Sequence, residues 1–284
     1  MMKVRDLQTI YAFMTQYISN PRTPVYHLHK TSSHFSAKKS TEKLLKRARQ
    51  NEVLKGPRIY CNSGLDVELH MTNEVDDVYE LFIEKKNDQI VRYAVAFCGE
   101  HAVLVFKRGA CVLQYAEAVV PSFPAKKTIG EIKLTEAGKL EPDPFPHNWD
   151  ELDWKVYYHM KNPLISYPKV AEALGVTWQT VRNRYERIVK NCKTWISFFP
   201  KGYNSYSQTF LTFKTDYEVG LRKELQKLDR TTYLYKFGDT IIVNLFYELS
   251  IEHYAFSKLE KEGLIRDLSA SIPIEWHKPD LPFK

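Results

Sequence analysis

The stretch Ser166-Tyr167-Pro168-Lys169-Val170-Ala171-Glu172-Ala173-Leu174-Gly175-Val176-Thr177-Trp178-Gln179-Thr180-Val181-Arg182-Asn183-Arg184-Tyr185-Glu186-Arg187-Ile188 decides the fold. Ser166 sits where a helix cap belongs, before a short helix over Tyr167–Leu174 with Val170, Ala171 and Leu174 on one face. Gly175 supplies the unhindered backbone of a tight turn. Thr177 caps a longer helix reaching about Asn191, whose Val181, Tyr185 and Ile188 recur at the spacing of one buried face. Ala171 is small where the two helices cross, and Val181 is branched where the second faces the first. Residue size, turn residue and period agree on a helix-turn-helix.

Outward from this stretch, Asp150–Met160 reads as a helix with Leu152, Val156 and Tyr157 inward, ended by Asn162-Pro163. Downstream come strands over Trp195–Phe199 and Thr209–Phe213, a helix over Tyr217–Leu228, and strands Thr232–Phe237 and Thr240–Leu249 around Gly238-Asp239. A helix over His253–Glu262 stops at Gly263, and Leu264–Ile274 closes with a strand. The order after the basic segment is β-α-β-β-α-β, the ferredoxin-like pattern.

The first half echoes the second. It reads as helices over Leu7–Tyr17 (ended by Asn20-Pro21), Thr23–Lys30 and Phe35–Val53, a strand Leu65–Met71 and a helix Glu74–Lys85. Strands Gln89–Phe97 and Ala102–Phe106 then flank Gly99-Glu100, and Gly109–Val120 is a last strand with no second helix before it. The fold class is therefore α+β, a winged helix-turn-helix plus a ferredoxin-like domain, repeated twice in one chain. The expected divisions are 1–64 and 149–202 for the helix-turn-helix parts and 65–121 and 203–284 for the ferredoxin-like parts. Residues 122–148, rich in Pro and Gly with few apolar anchors, read as a linker.

The chain has 284 residues, 41 Lys+Arg and 34 Asp+Glu, a net charge of +7 that conceals a division. Residues 1–64 hold 12 basic and 3 acidic side chains and residues 149–202 hold 9 and 5, whereas the ferredoxin-like parts are net acidic. Two basic segments in an otherwise acidic chain are the electrostatic footprint of a polyanion binder. No apolar run is long enough for a spanning helix, and Met1–Thr15 lacks an apolar signal core, so the expectation is a cytoplasmic protein away from membranes. Cys61, Cys98, Cys111 and Cys192 form no C-x-x-C pair and read as free thiols. His27, His29 and His34 are poorly spaced to share an ion, and neither a metal site nor a cofactor is expected.

Trp149-Asp150-Glu151-Leu152-Asp153-Trp154-Lys155 followed by Ser166 to Thr177 resembles the Lrp/AsnC family of transcription regulators, closely over Trp149–Ile274 and by echo over residues 3–120. The resemblance implies double-stranded DNA as a partner of the helix-turn-helix and pairing through the sensor sheets, as an internal pseudo-dimer or a homodimer. It also implies a small-molecule effector near the hairpin turns Gly238-Asp239 and Gly99-Glu100. The chain departs from the family in carrying Thr240-Ile241-Ile242 where a second acidic residue usually follows that turn.

On this reading a helix beginning at Thr177 presents Trp178, Gln179, Arg182 and Asn183 to base edges. Tyr167, Lys169, Thr177, Thr180, Arg184 and Arg187 take phosphates, joined by Lys38, Lys39, Lys43, Lys46 and Arg47 of the first half, where lysine gives point charge rather than planar readout. Two other readings share the architecture: an enzyme like the siroheme decarboxylases, and a small-molecule sensor without DNA binding. No nucleophile–base pair or Gly-rich phosphate loop is legible, so the expectation is a non-enzymatic regulator.

Overall fold

The computed structural model describes residues 2–109, 112–248 and 254–277. In chain order its regular elements begin with helices α1 (Val4–Ser19), α2 (Val25–Ser32) and α3 (Lys38–Gln50) and strands β1 (Leu54–Tyr60) and β2 (Leu65–Met71). Helix α4 (Val78–Asn87) and strands β3 (Val91–Gly99), β4 (His101–Arg108) and β5 (Leu113–Val119) complete the first half. The second half has α5 (Glu151–His159), α6 (Tyr167–Leu174), α7 (Trp178–Ile188), β6 (Lys193–Phe198), β7 (Ser207–Thr215) and α8 (Glu218–Leu225). It ends with β8 (Thr232–Phe237), β9 (Thr240–Tyr247), α9 (Tyr254–Lys261) and β10 (Ile265–His277). The fold is α+β, and none of the described helices is long and apolar enough to cross a membrane.

Like parts of the two halves gather with like, so the domains do not follow one another along the chain. Among the described residues, one compact unit comprises 2–61 and 146–205, and the other comprises 62–109, 112–145, 206–248 and 254–277. In the first unit, β1 and β6 pair antiparallel, with Leu54 opposite Phe198 and Tyr60 opposite Lys193. β1 falls where no strand is legible in the sequence, because Gly56-Pro57 interrupts its alternation and shifts its register.

The two helix-turn-helix copies interlock. α1 of the first packs on β6 of the second, with the Tyr11 and Phe198 rings 5.6 Å apart and Thr194 Oγ1 donating to the Ile18 carbonyl at 3.2 Å. Arg22 reaches the other way: its guanidinium lies 4.0 Å from the Tyr167 ring centre and donates to the Pro163 and Ile165 carbonyls. In each copy an aspartate of the first helix anchors an arginine of the third. Arg47 meets Asp6 Oδ2 at 2.7 Å in the first copy, and in the second Arg187 and Arg184 both meet Asp153.

The second unit holds an eight-stranded antiparallel sheet ordered β2-β4-β3-β10-β7-β9-β8-β5. The run β10-β7-β9-β8 is one ferredoxin-like copy. The other contributes β2-β4-β3, but its fourth strand, β5, lies across on β8, with Val119 opposite Thr232. β10 in turn pairs with β3, Ser271 facing Gly99 and Trp276 facing Val95. Each copy's second strand is therefore completed by the other's fourth. The row curls until its ends, β2 and β5, approach and Phe106 of β4 stacks 5.7 Å from Tyr235 of β8.

Helices cover the outer surface. α8 and α9 bury Leu221, Leu225, Phe256 and Leu259 over one copy, and α4 buries Phe82 over the other. β4 runs to Arg108 and β5 starts at Leu113, so the first copy has no room for a second helix. The Pro/Gly-rich segment departs from the expected bare linker. Ile129, Ile132, Leu134 and Leu140 are buried in the core beneath α8 and α9, and a 3-10 turn spans Ile129–Glu131. Its Asp143 also covers the free edge of β5, accepting from Ala116 N at 2.9 Å while Asp143 N donates to the Gln114 carbonyl at 2.7 Å.

Asp153 is fully buried, accepts from two arginines and also receives the Asp150 N–H at the start of α5. Asp153→Ala is expected to lower unfolding stability by about 2–3 kcal/mol in denaturant titration. Arg187→Ala, whose side chain is half exposed, is expected to cost less in the same measurement.

Candidate functional site

The helix-turn-helix of the second copy is built as its sequence dictates. Gly175 takes φ +66° between α6 and α7, and Thr177 Oγ1 accepts from Thr180 N at 3.2 Å. Ser166, placed to cap α6, makes no side-chain cap hydrogen bond. Val181, Tyr185 and Ile188 are buried, which turns Trp178, Gln179, Arg182 and Asn183 outward. Arg182 holds Glu186 one turn on at 2.8 Å. Thr177 and Lys169 are exposed, and Thr180 is half-buried with its hydroxyl 2.9 Å from that of Thr177.

Three of the expected phosphate contacts are occupied within the protein. Arg184 bonds Asp150 and Asp153, Arg187 bonds Asp153, and Tyr167 lies beneath Arg22. In the first copy Arg47 is likewise taken by Asp6, and Lys38 pairs with Glu42 at 3.1 Å. Lys39, Lys43 and Lys46 stand exposed on α3. The three histidines are separated: His29 Nδ1 lies 2.9 Å from Thr41 Oγ1, His34 Nδ1 2.6 Å from Thr9 Oγ1, and His27 lines a cleft between α1 and α2.

The two hairpin turns have different neighbours. Asp239 pairs with Lys214 at 3.2 Å, which also reaches Asp267 at 3.3 Å. Gly99 lies against β10 at φ +137°, where an added Cβ would come 2.7 Å from Ser271 Oγ. Only glycine allows this approach. On either side of this turn Cys98 is exposed and His101 is completely buried.

His101 is the one residue of these turns drawn into a polar centre on the inner face of the sheet. Its backbone N–H donates to Ser271 Oγ at 2.8 Å, its Nδ1 lies 2.9 Å from the same oxygen, and its Nε2 lies 2.8 Å from Thr212 Oγ1. Phe97 and Phe210 pack around it. A bulge aims it there. Ala102 and Val103 both pack in the outer cluster under α4, and the β2–β4 register slips between the partners of His70 and Met71. Burial lowers the imidazole pKa to about 4, against a small opposing pull from Glu100, so the ring is neutral at physiological pH. A separate aromatic row runs across the sheet: Trp276 lies 5.6 Å from Tyr93, Tyr93 5.9 Å from Phe106, and Phe106 meets Tyr235. Periodicity gives no sign of this centre, because His101, Thr212 and Ser271 come from strands far apart in sequence.

No family model and no curated protein matches the chain. Two solved structures share its architecture. The siroheme decarboxylase NirDL aligns at 8% identity over 96% of this chain and 92% of its own, with a TM-score of 0.54. The same enzyme in co-complex with an iron-uroporphyrin III analogue aligns at 7% identity over 90% of this chain and 87% of its own, with a TM-score of 0.52. The expectation that the chain is not an enzyme is contradicted by this finding, since both structures that align over nine-tenths or more of it are of an enzyme. The absence of a nucleophile–base pair was no ground for it.

A histidine buried neutral binds its proton more weakly folded than unfolded. The stability His101 provides is therefore complete above pH 6.5 and is lost as pH falls from there to about 4. Chemical denaturation at stepped pH should show a slope of up to about 1.4 kcal/mol per pH unit across that window, and His101→Gln should flatten it.

Proposed function

We propose that this chain is an enzyme acting on a carboxylated tetrapyrrole of the siroheme type and removing carboxyl groups as carbon dioxide. The observation that carries this reading is the architecture shared with siroheme decarboxylase over nine-tenths or more of the chain. The chemistry replaces a carboxylate with hydrogen: the bond to the carboxyl carbon breaks, carbon dioxide leaves, and a proton is delivered to the carbon left behind. The inner face of the sheet suits a flat aromatic substrate, with the half-buried Tyr93, Tyr233 and Tyr235 and the exposed Trp276. The three tyrosines and the neutral His101 each carry an exchangeable proton there.

The test is anaerobic incubation of the full chain with siroheme, followed by absorption spectra and mass spectrometry. The expected result is a shifted Soret band on binding and product masses lower by whole carbon dioxide losses. An unchanged spectrum together with unchanged siroheme would overturn the reading.

A second reading, DNA recognition, is favoured by the exposure of Trp178, Gln179 and Asn183 on the first turns of α7 and of Lys169 beside them. On this reading Gln179 and Asn183 read adenine edges, and Lys39, Lys43 and Lys46 add a salt-dependent contribution. The Gln179→Ala/Asn183→Ala double variant is expected to lose sequence preference in gel-shift titrations on genomic fragments while leaving siroheme turnover unchanged. An unaltered preference would exclude these two as base readers.

A further inference from the structure

The β1–β6 ribbon joins the two helix-turn-helix copies, and its register runs through Ile59 opposite Thr194 and Tyr60 opposite Lys193. One step further, the same register sets Cys61 opposite Cys192. Directly opposed residues in an antiparallel ladder have Cα atoms about 4.5–5.5 Å apart, within the span of about 4.4–6.8 Å that a disulfide bridges. Both side chains pack in the cluster of Val156, Tyr157, Met160 and Ile188, with the Cys61 thiol close enough to perturb the Cys192 thiol. The site is held from both sides. The Cys61 N–H donates to the Tyr157 hydroxyl at 3.2 Å, and the Cys192 thiol lies 3.4 Å from the Ile188 carbonyl.

We propose that Cys61 and Cys192 are a disulfide-forming pair, oxidised by small disulfides of the glutathione class, that ties the two helix-turn-helix copies across their shared ribbon. Cys61 is 2% exposed whereas Cys192 is half-buried, so Cys192 reacts first. Its thiolate attacks the small disulfide, forming a mixed disulfide and expelling one thiolate. The Cys61 thiolate then attacks the Cys192 sulfur and expels the second. The pair loses two electrons and two protons, the small disulfide gains both, and two small thiols result. The neighbouring Cys61 thiol and then burial hold the Cys192 thiol well above the ordinary cysteine pKa. The thiolate is therefore scarce at neutral pH and the link forms slowly there.

The test treats the full folded chain, and a Cys98→Ser/Cys111→Ser variant, with oxidised glutathione at pH 7, 8 and 9. Digestion and mass spectrometry then locate the linked peptides. The expected result is one peptide pair joining Cys61 to Cys192, lighter by two hydrogens, formed about tenfold faster per pH unit and reversed by dithiothreitol. Cys61→Ser is expected to leave a persistent glutathione adduct on Cys192. The proposal is overturned if both thiols stay free while the exposed Cys98 of the parent chain becomes fully glutathionylated. It is equally overturned if the link appears only in chain unfolded by guanidinium. In thermal melts the oxidised variant should unfold at a higher temperature than the reduced one, because the link constrains the unfolded chain.

Discussion

A β-strand edge must find hydrogen-bond partners, and in this protein each ferredoxin-like copy finds them in the other. β3 is completed by β10 and β8 by β5, so neither copy presents a finished sheet on its own. The exchange dictates much else. It draws the halves of the chain together by type, curls the row until Phe106 of one copy meets Tyr235 of the other, and leaves β5 with a free edge that Asp143 of the connecting segment covers. A segment whose composition reads as linker thus carries a sheet edge and four core side chains.

The other unit is joined by side chains as much as by strands. Arg22 of the first copy stands over Tyr167 of the second, and α1 packs on the second copy's β6. The matched aspartate–arginine anchors, Asp6 with Arg47 and Asp153 with Arg187, occupy corresponding helices of the two copies. They also reassign residues. Arginines that look like phosphate ligands on a helical wheel are bound to buried or nearly buried carboxylates, where a lone carboxylate would be costly. The exposed face left for a polyanion is narrower than the net charge of the segment suggests.

The inner face of the sheet has a different chemistry from the basic helices. Its His101 is neutral because it is buried, and its ring is fixed by two hydroxyls from the opposite copy, Ser271 and Thr212. The surrounding surface is aromatic, with tyrosines from both copies.

The helix-turn-helix was legible because every determinant is local: Ala171, Gly175, Thr177 and the 3.6-residue period of Val181, Tyr185 and Ile188 lie within one short stretch. The second ferredoxin-like copy was legible for the same reason, since alternation, turn glycines and helix periods all act between near neighbours. Local residues also show the shortened first copy, because a segment of a few residues between β4 and β5 cannot hold a helix. The exchange of strand partners, the partition of the chain by type and the position of His101 were decided by tertiary structure alone. Strand pairing depends on which distant edges meet, and a single bulged residue at Ala102 inverts the face of its neighbour, so that an imidazole beside an exposed turn becomes completely buried.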